Sequence, residues 1–134
     1  MTTNEREHLL ALAADARKNA YAPYSGYRVG AALLAEDGRA FVGCNVENSS
    51  FSPTLCAERV ALGAAIAAGA QRFLAIAVVG GSGDTVAPCP PCGVCRQSLS
   101  EFTDGSLVVV FYGDNGIMEC RLSDLLPHGF SIKK

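Results

Sequence analysis

Cys92 and Cys95 stand two residues apart, the gap that lets two thiolates reach one metal ion, and Cys56 lies upstream where a third could join them. Three protein ligands on a tetrahedral zinc leave the fourth position for water, which separates a catalytic centre from a closed structural one. Glu58 comes two residues after Cys56 and is expected beside that water without being a ligand. A carboxylate there can take a proton and pass it to a substrate nitrogen. Three thiolates leave a zinc centre negatively charged and so a poorer Lewis acid. Helix N-termini aimed at the sulfurs would offset part of that charge, and Arg59, next after Glu58, is expected to donate to a cysteine sulfur from outside the ligand set.

Other readings of the same cysteines stay open on spacing alone. A single Cys-x-x-Cys serves structural zinc half-sites and redox pairs as well as catalysis. Cys89 forms a second such pair with Cys92, and Cys89-Pro90-Pro91-Cys92 has the form of a thioredoxin-like motif. The run Cys89, Cys92, Cys95 has an iron–sulfur spacing, but a fourth cysteine followed by proline is missing. We read Cys89 as a non-ligand, and Cys44 and Cys120, in expected strands, as small hydrophobes. His8 and His128 lack an acid two residues later and read as surface residues.

The elements that must position these groups can be traced from periodicity. Leu9, Leu10, Leu12, Ala13, Ala16 and Ala20 recur at helical spacing within 3–20. Residues 21–27 then form an aromatic loop broken by Pro23 and Gly26. Two apolar runs, 28–35 and 39–46, flank Glu36-Asp37-Gly38 and predict a hairpin. An alanine-rich helix is expected over 55–68, ended by Gly69. A buried strand follows at 74–79, a helix at 96–102, strands at 107–112 and 117–121, and a short helix capped by Ser123 and ending at Leu126. The order αββαβαββα predicts an α/β sandwich.

Length and composition narrow the function. At 134 residues, against roughly 150 per domain, one domain spanning 1–134 is expected. With 49% hydrophobic and 18% charged residues the chain is a folder rather than a disordered segment. Eleven basic against thirteen acidic residues leave no surplus for a phosphate backbone, so no nucleic-acid partner is expected. No apolar stretch approaches the roughly 18 residues of a spanning helix, and the start lacks the apolar core of a secretory signal, so no membrane and a cytoplasmic location are expected. In that compartment a cysteine cluster is better read as metal-binding or catalytic than as disulfides.

Cys56-Ala57-Glu58 followed by Pro91-Cys92-Gly93-Val94-Cys95 resembles the three-cysteine signature of zinc nucleoside and nucleobase deaminases. Over essentially its whole length the chain resembles the small homotetrameric cytidine deaminases. The segments Tyr24-Ser25-Gly26-Tyr27-Arg28-Val29-Gly30-Ala31-Ala32, Gly43-Cys44-Asn45-Val46-Glu47-Asn48 and Pro91 to Gln97 carry this likeness. The resemblance implies a three-layer α/β/α sandwich with a mixed five-stranded sheet. It also implies one Zn2+ per chain on Cys56, Cys92 and Cys95, and a nucleoside pocket formed by Tyr27, Asn45, Glu47 and Ala57. Asn45 and Glu47 would bond the ribose 3′-hydroxyl, and residues two apart on a strand share a face, so the pair is expected to act together. Without the resemblance Asn45 reads equally as a strand terminator, Glu47 as a solvated loop acid and Tyr27 as an ordinary aromatic. Tyr27 stands where the family usually has Phe, and Phe130 resembles an aromatic that closes a neighbouring subunit's pocket.

The implied reaction is hydrolytic deamination of cytidine and 2′-deoxycytidine in pyrimidine salvage. A zinc hydroxide attacks C4, while Glu58 protonates N3 and then the leaving amine. The implied assembly is a homotetramer, to which the two-sided apolar character of the helix over 55–70 also points. The nearest rival is a deaminase of a modified cytosine nucleoside such as blasticidin S. From another class, a non-catalytic zinc-binding or redox module would use the same cysteines and give Glu58 no role.

Overall fold

The computed structural model describes residues 1–132; Lys133 and Lys134, the last two residues of the expected domain, lie outside the described residues. The element order is α1 (Thr3–Arg17), β1 (Tyr27–Ala35), β2 (Ala40–Cys44), α2 (Ala57–Ala67), β3 (Phe73–Ser82), α3 (Gly93–Ser100), β4 (Val108–Gly113), β5 (Gly116–Arg121) and α4 (Leu122–Leu125). This is the order that periodicity predicts. The strands form one mixed sheet in the order β2-β1-β3-β4-β5, in which only β3 and β4 run parallel.

Alternation along the central strands builds the three layers. Ala31, Leu33, Ile76, Val78 and Val109 join a core with Ala57, Ala61 and Ala65 of α2 and Leu99 of α3. Their neighbours Ala32, Ala75, Ala77, Val79 and Val110 point the other way and pack on Leu9, Leu10 and Ala13 of α1. Small residues set how closely the helices sit. A Cβ at Gly30 would fall 1.9 Å from the Ala13 carbonyl oxygen, and one at Gly43 would fall 2.5 Å from that of Ala57. Backbone therefore lies on backbone where α1 crosses β1 and where the start of α2 crosses β2.

Local chemistry explains the ends. α1 starts in a capping box, with Glu5 N donating to Thr2 Oγ1 at 3.1 Å and Thr2 N to Glu5 Oε1 at 2.8 Å. It stops at Arg17 rather than Ala20, the chain turning through 18–19. The hairpin turns at Gly38, whose φ of +94° suits glycine. α3 begins at Gly93 rather than Arg96, because the helix can start as soon as the prolines at 90 and 91 are passed and Cys92 takes the N-cap. Arg121, not Ser123, is the N-cap of α4, and its N–H donates to Asp124 Oδ2 at 3.2 Å. β2 ends at Cys44 and not Val46. The Asn45 side chain replaces the ladder there, accepting from Val29 N at 2.9 Å and donating Nδ2 to Tyr27 O at 2.8 Å. Among the described residues no helix is long and apolar enough to cross a membrane.

Candidate metal centre and nucleoside site

Cys56 is the N-cap of α2 and Cys92 the N-cap of α3. Neither side chain caps its helix, so both sulfurs remain free to point elsewhere while sitting at the positive ends of the two helix dipoles. Cys95 follows in the first turn of α3 and is fully buried. The three sulfurs lie within 4.8 Å of one another. Cys56 Sγ is 3.7 Å from Cys92 Sγ, which is 3.4 Å from Cys95 Sγ. Thiolates bound tetrahedrally at about 2.3 Å would be roughly 3.8 Å apart, so the donor set fits a zinc ion with little adjustment. Cys89 lies outside this group; its sulfur instead packs over β3, where a Cβ on Gly80 would come within 2.6 Å of it.

Electrostatics favour a thiolate at Cys56. The Cys56 thiol is drawn down to about 5, chiefly because Cys95 hydrogen-bonds to it and further because Arg59 lies beside it; burial works the other way. Cys95, tied to the Cys56 sulfur and buried, is pushed strongly up. Arg59 Nη2 lies 3.8 Å from Cys56 Sγ and donates to Thr54 O at 3.1 Å. Its Nε is buried with no hydrogen-bond partner among the described residues. An anionic three-thiolate centre would offset that isolated cationic donor.

Glu58, in the first turn of α2, is 4% exposed. Burial raises its carboxyl above the ordinary range and the Cys56 charge adds to this, whereas a hydrogen bond from Cys95 opposes it. A buried carboxyl near the sulfurs, held above its ordinary range, is suited to proton transfer. Ala57, between the two, is fully buried.

Asn45 and Glu47 are arranged differently from the expected strand pair. They lie beyond β2, flanking Val46, which bridges to both Tyr21 and Leu55. Asn45 is 8% exposed and holds the backbone of β1. Glu47 is turned toward the aromatic loop, where Oε1 accepts from Tyr24 N at 3.0 Å and Ser25 N at 3.1 Å, and Oε2 accepts from the Ser25 hydroxyl. Ser25, to which the sequence assigned no role of its own, also accepts from Tyr27 N at 2.9 Å. Its signal was only its place before Gly26 in a turn. Tyr24, Ser25, Glu47, Phe51 and Thr54 line a concavity of about 470 Å3. Tyr27 opens β1 half-buried beside Cys89, and Phe130 is 71% exposed, its carbonyl accepting from Gln97 Nε2 at 2.8 Å. His8 and His128 are exposed.

Residues 3–111 match the family described as the cytidine and deoxycytidylate deaminase zinc-binding region. The cytidine deaminase of Sporosarcina psychrophila is 49% identical over 126 residues, covering 93% of this chain and 90% of that protein. The crystal structure of cytidine deaminase from Burkholderia pseudomallei superposes with a TM-score of 0.85 at 46% identity, over 97% of this chain and 100% of that one. The cytidine deaminase structure from Mycobacterium tuberculosis gives 0.82 at 42% identity, over 94% and 97%. The cysteines at the helix starts and the buried glutamate thus sit in a chain that belongs to the cytidine and deoxycytidylate deaminase family and carries a cluster able to hold one metal ion.

Proposed function

We propose that this chain catalyses the hydrolytic deamination of cytidine and 2′-deoxycytidine, water and the nucleoside giving the uridine and ammonia. The observation that carries this reading is the placement of Glu58, buried near three sulfurs that share one centre, in a chain whose relatives at 40–49% identity are cytidine deaminases. Cys56, Cys92 and Cys95 would hold the zinc, which when bound supplies a Lewis acid that makes water a nucleophile near neutral pH. Glu58 takes the proton that water gives up and delivers it to N3 of the pyrimidine. In the second half of the reaction the same carboxylate takes the proton of the hydroxyl now on C4 and delivers it to the amine, so that the C4–N bond breaks as the C4 carbonyl forms and ammonia leaves. Arg59 neutralises part of the thiolate charge and so keeps the centre electrophilic.

Tyr27, Ala57, Asn45 and Glu47 form the nucleoside seat. Asn45 retains one N–H and one lone pair beyond its two backbone bonds, and Glu47 retains acceptor capacity beyond three, so both can still meet a ribose hydroxyl. The chain acts as one cytoplasmic domain over 1–134 in pyrimidine salvage, and assembles as a homotetramer in which Phe130 closes a neighbour's site. The exposed small residues Gly63, Ala64 and Ala67 on α2, and the exposed Phe51 and Phe130, support that assembly. The test is loss of cytidine absorbance with purified protein of known zinc content. Turnover with about one zinc per chain is expected; zinc-replete protein that leaves cytidine untouched would overturn the substrate. A monomeric mass in solution would overturn the assembly.

A further inference from the structure

Arg17, the last residue of α1, is 8% exposed, and among the described residues no carboxylate pairs with it. Its guanidinium donates to main-chain carbonyls alone. Nε reaches Arg28 O at 2.8 Å, and Nη2 reaches Gly81 O and Gly83 O, both at 2.9 Å, and Thr85 O. Burying a guanidinium is costly, and an apolar side chain of similar volume would often serve stability as well. What the cation adds is order in the segments whose carbonyls it holds.

Those segments meet at the aromatic loop. The carbonyls of Gly26, Tyr27 and Arg28 are each taken by a different donor: Gly83 N at 3.0 Å, Asn45 Nδ2 at 2.8 Å and Arg17 Nε at 2.8 Å. The turn that grips Gly26 is the same 81–85 turn that Arg17 gathers. Its tightness shows at Gly81, where a Cβ would lie 2.1 Å from Thr85 O. Arg28 returns the link, donating to Lys18 O at the end of α1 and lying 3.7 Å from Asp84. Beyond the turn the chain is anchored afresh by Ala87 N donating to Gly80 O at 2.8 Å, before it reaches Cys92 at the start of α3.

We infer that Arg17 is a positioning residue for nucleoside binding: through the 81–85 turn and the Arg28 carbonyl it fixes the backbone that presents Tyr27. The inference rests on the proposed reading of Tyr27 as part of the nucleoside seat. The sulfurs and Glu58 are held by the starts of α2 and α3, which Arg17 does not touch, so the effect falls on binding rather than on metal or chemistry.

The test uses zinc-loaded protein with cytidine as substrate and uridine as a ligand that is not turned over. Arg17→Gln is expected to raise KM about tenfold or more and weaken uridine binding by a similar factor, with kcat within about threefold of the parent and zinc content unchanged. Arg17→Lys, which keeps the charge but not the fork, falls between, and carries the same comparison if the glutamine variant does not fold. Combined with Tyr27→Ala, Arg17→Gln should raise KM no further than Tyr27→Ala alone. A folded Arg17 variant with parental KM and uridine affinity beside an impaired Tyr27→Ala would overturn this inference alone, as would KM penalties that multiply in the double variant. A parental KM in Tyr27→Ala would instead overturn the seat reading, and this inference with it.

Discussion

The two halves of the site are built by different means. On the metal side, two cysteines take the N-caps of α2 and α3, and Cys95 and Glu58 follow in the first turns, so regular helix geometry fixes where each group lies. On the proposed nucleoside side, Asn45, Glu47 and Tyr27 sit at or beyond strand ends. Side-chain bonds to backbone hold them there: Asn45 on Tyr27 and Val29, and Glu47 on Tyr24 and Ser25. Each helix start fixes its own pair of groups locally, and only the meeting of Cys56 with Cys92 spans a long stretch, 36 residues, whereas in the second arrangement every group depends on bonds across 16 to 23 residues of sequence. A fault on the metal side should therefore remove chemistry and leave the fold. A fault on the nucleoside side should cost stability and binding together.

Removal of a buried ligand should give the sharpest failure. Cys95→Ala is expected to lose bound zinc and all measurable turnover while its circular dichroism stays near the parent's; full zinc occupancy in that variant would contradict the ligand assignment. Arg59→Ala comes next, lowering kcat by about 10- to 100-fold with zinc retained, because it changes the charge around the sulfurs and not their number. Unchanged turnover would remove its role. Asn45→Asp tests the other half: it leaves the Tyr27 carbonyl without its donor and should cost about 1–3 kcal/mol in chemical denaturation, with KM raised. Parental stability there would mean that the two regions are not built as differently as described. Cys89→Ser should have the smallest effect, with zinc content and kcat within about twofold of the parent, since its sulfur packs on Gly80 outside the metal group. Loss of zinc in this variant would bring Cys89 back as a ligand.

The same contrast explains what could be read from the sequence. Period-two and period-3.6 patterns exposed the order of elements, because the sheet has one helix layer on each face and nearly every buried position repeats. The pairs Cys56 with Glu58 and Cys92 with Cys95 were visible because helix starts turn short spacing into proximity, and the resemblance to the deaminase signature joined the two pairs across 36 residues. Asn45 and Glu47 were expected as neighbours on one strand face, yet β2 stops at Cys44, where the Asn45 amide takes over the bonds that a ladder would have made. Nothing in periodicity marks a side chain that substitutes for backbone. Arg17 escaped notice for a related reason, since its partners are main-chain atoms that any residue type could supply, and the role of Ser25 was hidden because the Glu47 carboxylate it bonds lies 22 residues away.

The central claim is that Glu58 carries the proton while the cysteines hold the metal independently of it. Zinc content and cytidine turnover measured together in purified Glu58→Gln test this most directly, because the amide keeps the shape of the side chain and cannot accept and return the proton. The account predicts about one zinc per chain, as in the parent, with turnover lowered by at least about 10²- to 10⁴-fold. Deamination near the parental rate in zinc-replete Glu58→Gln would contradict it.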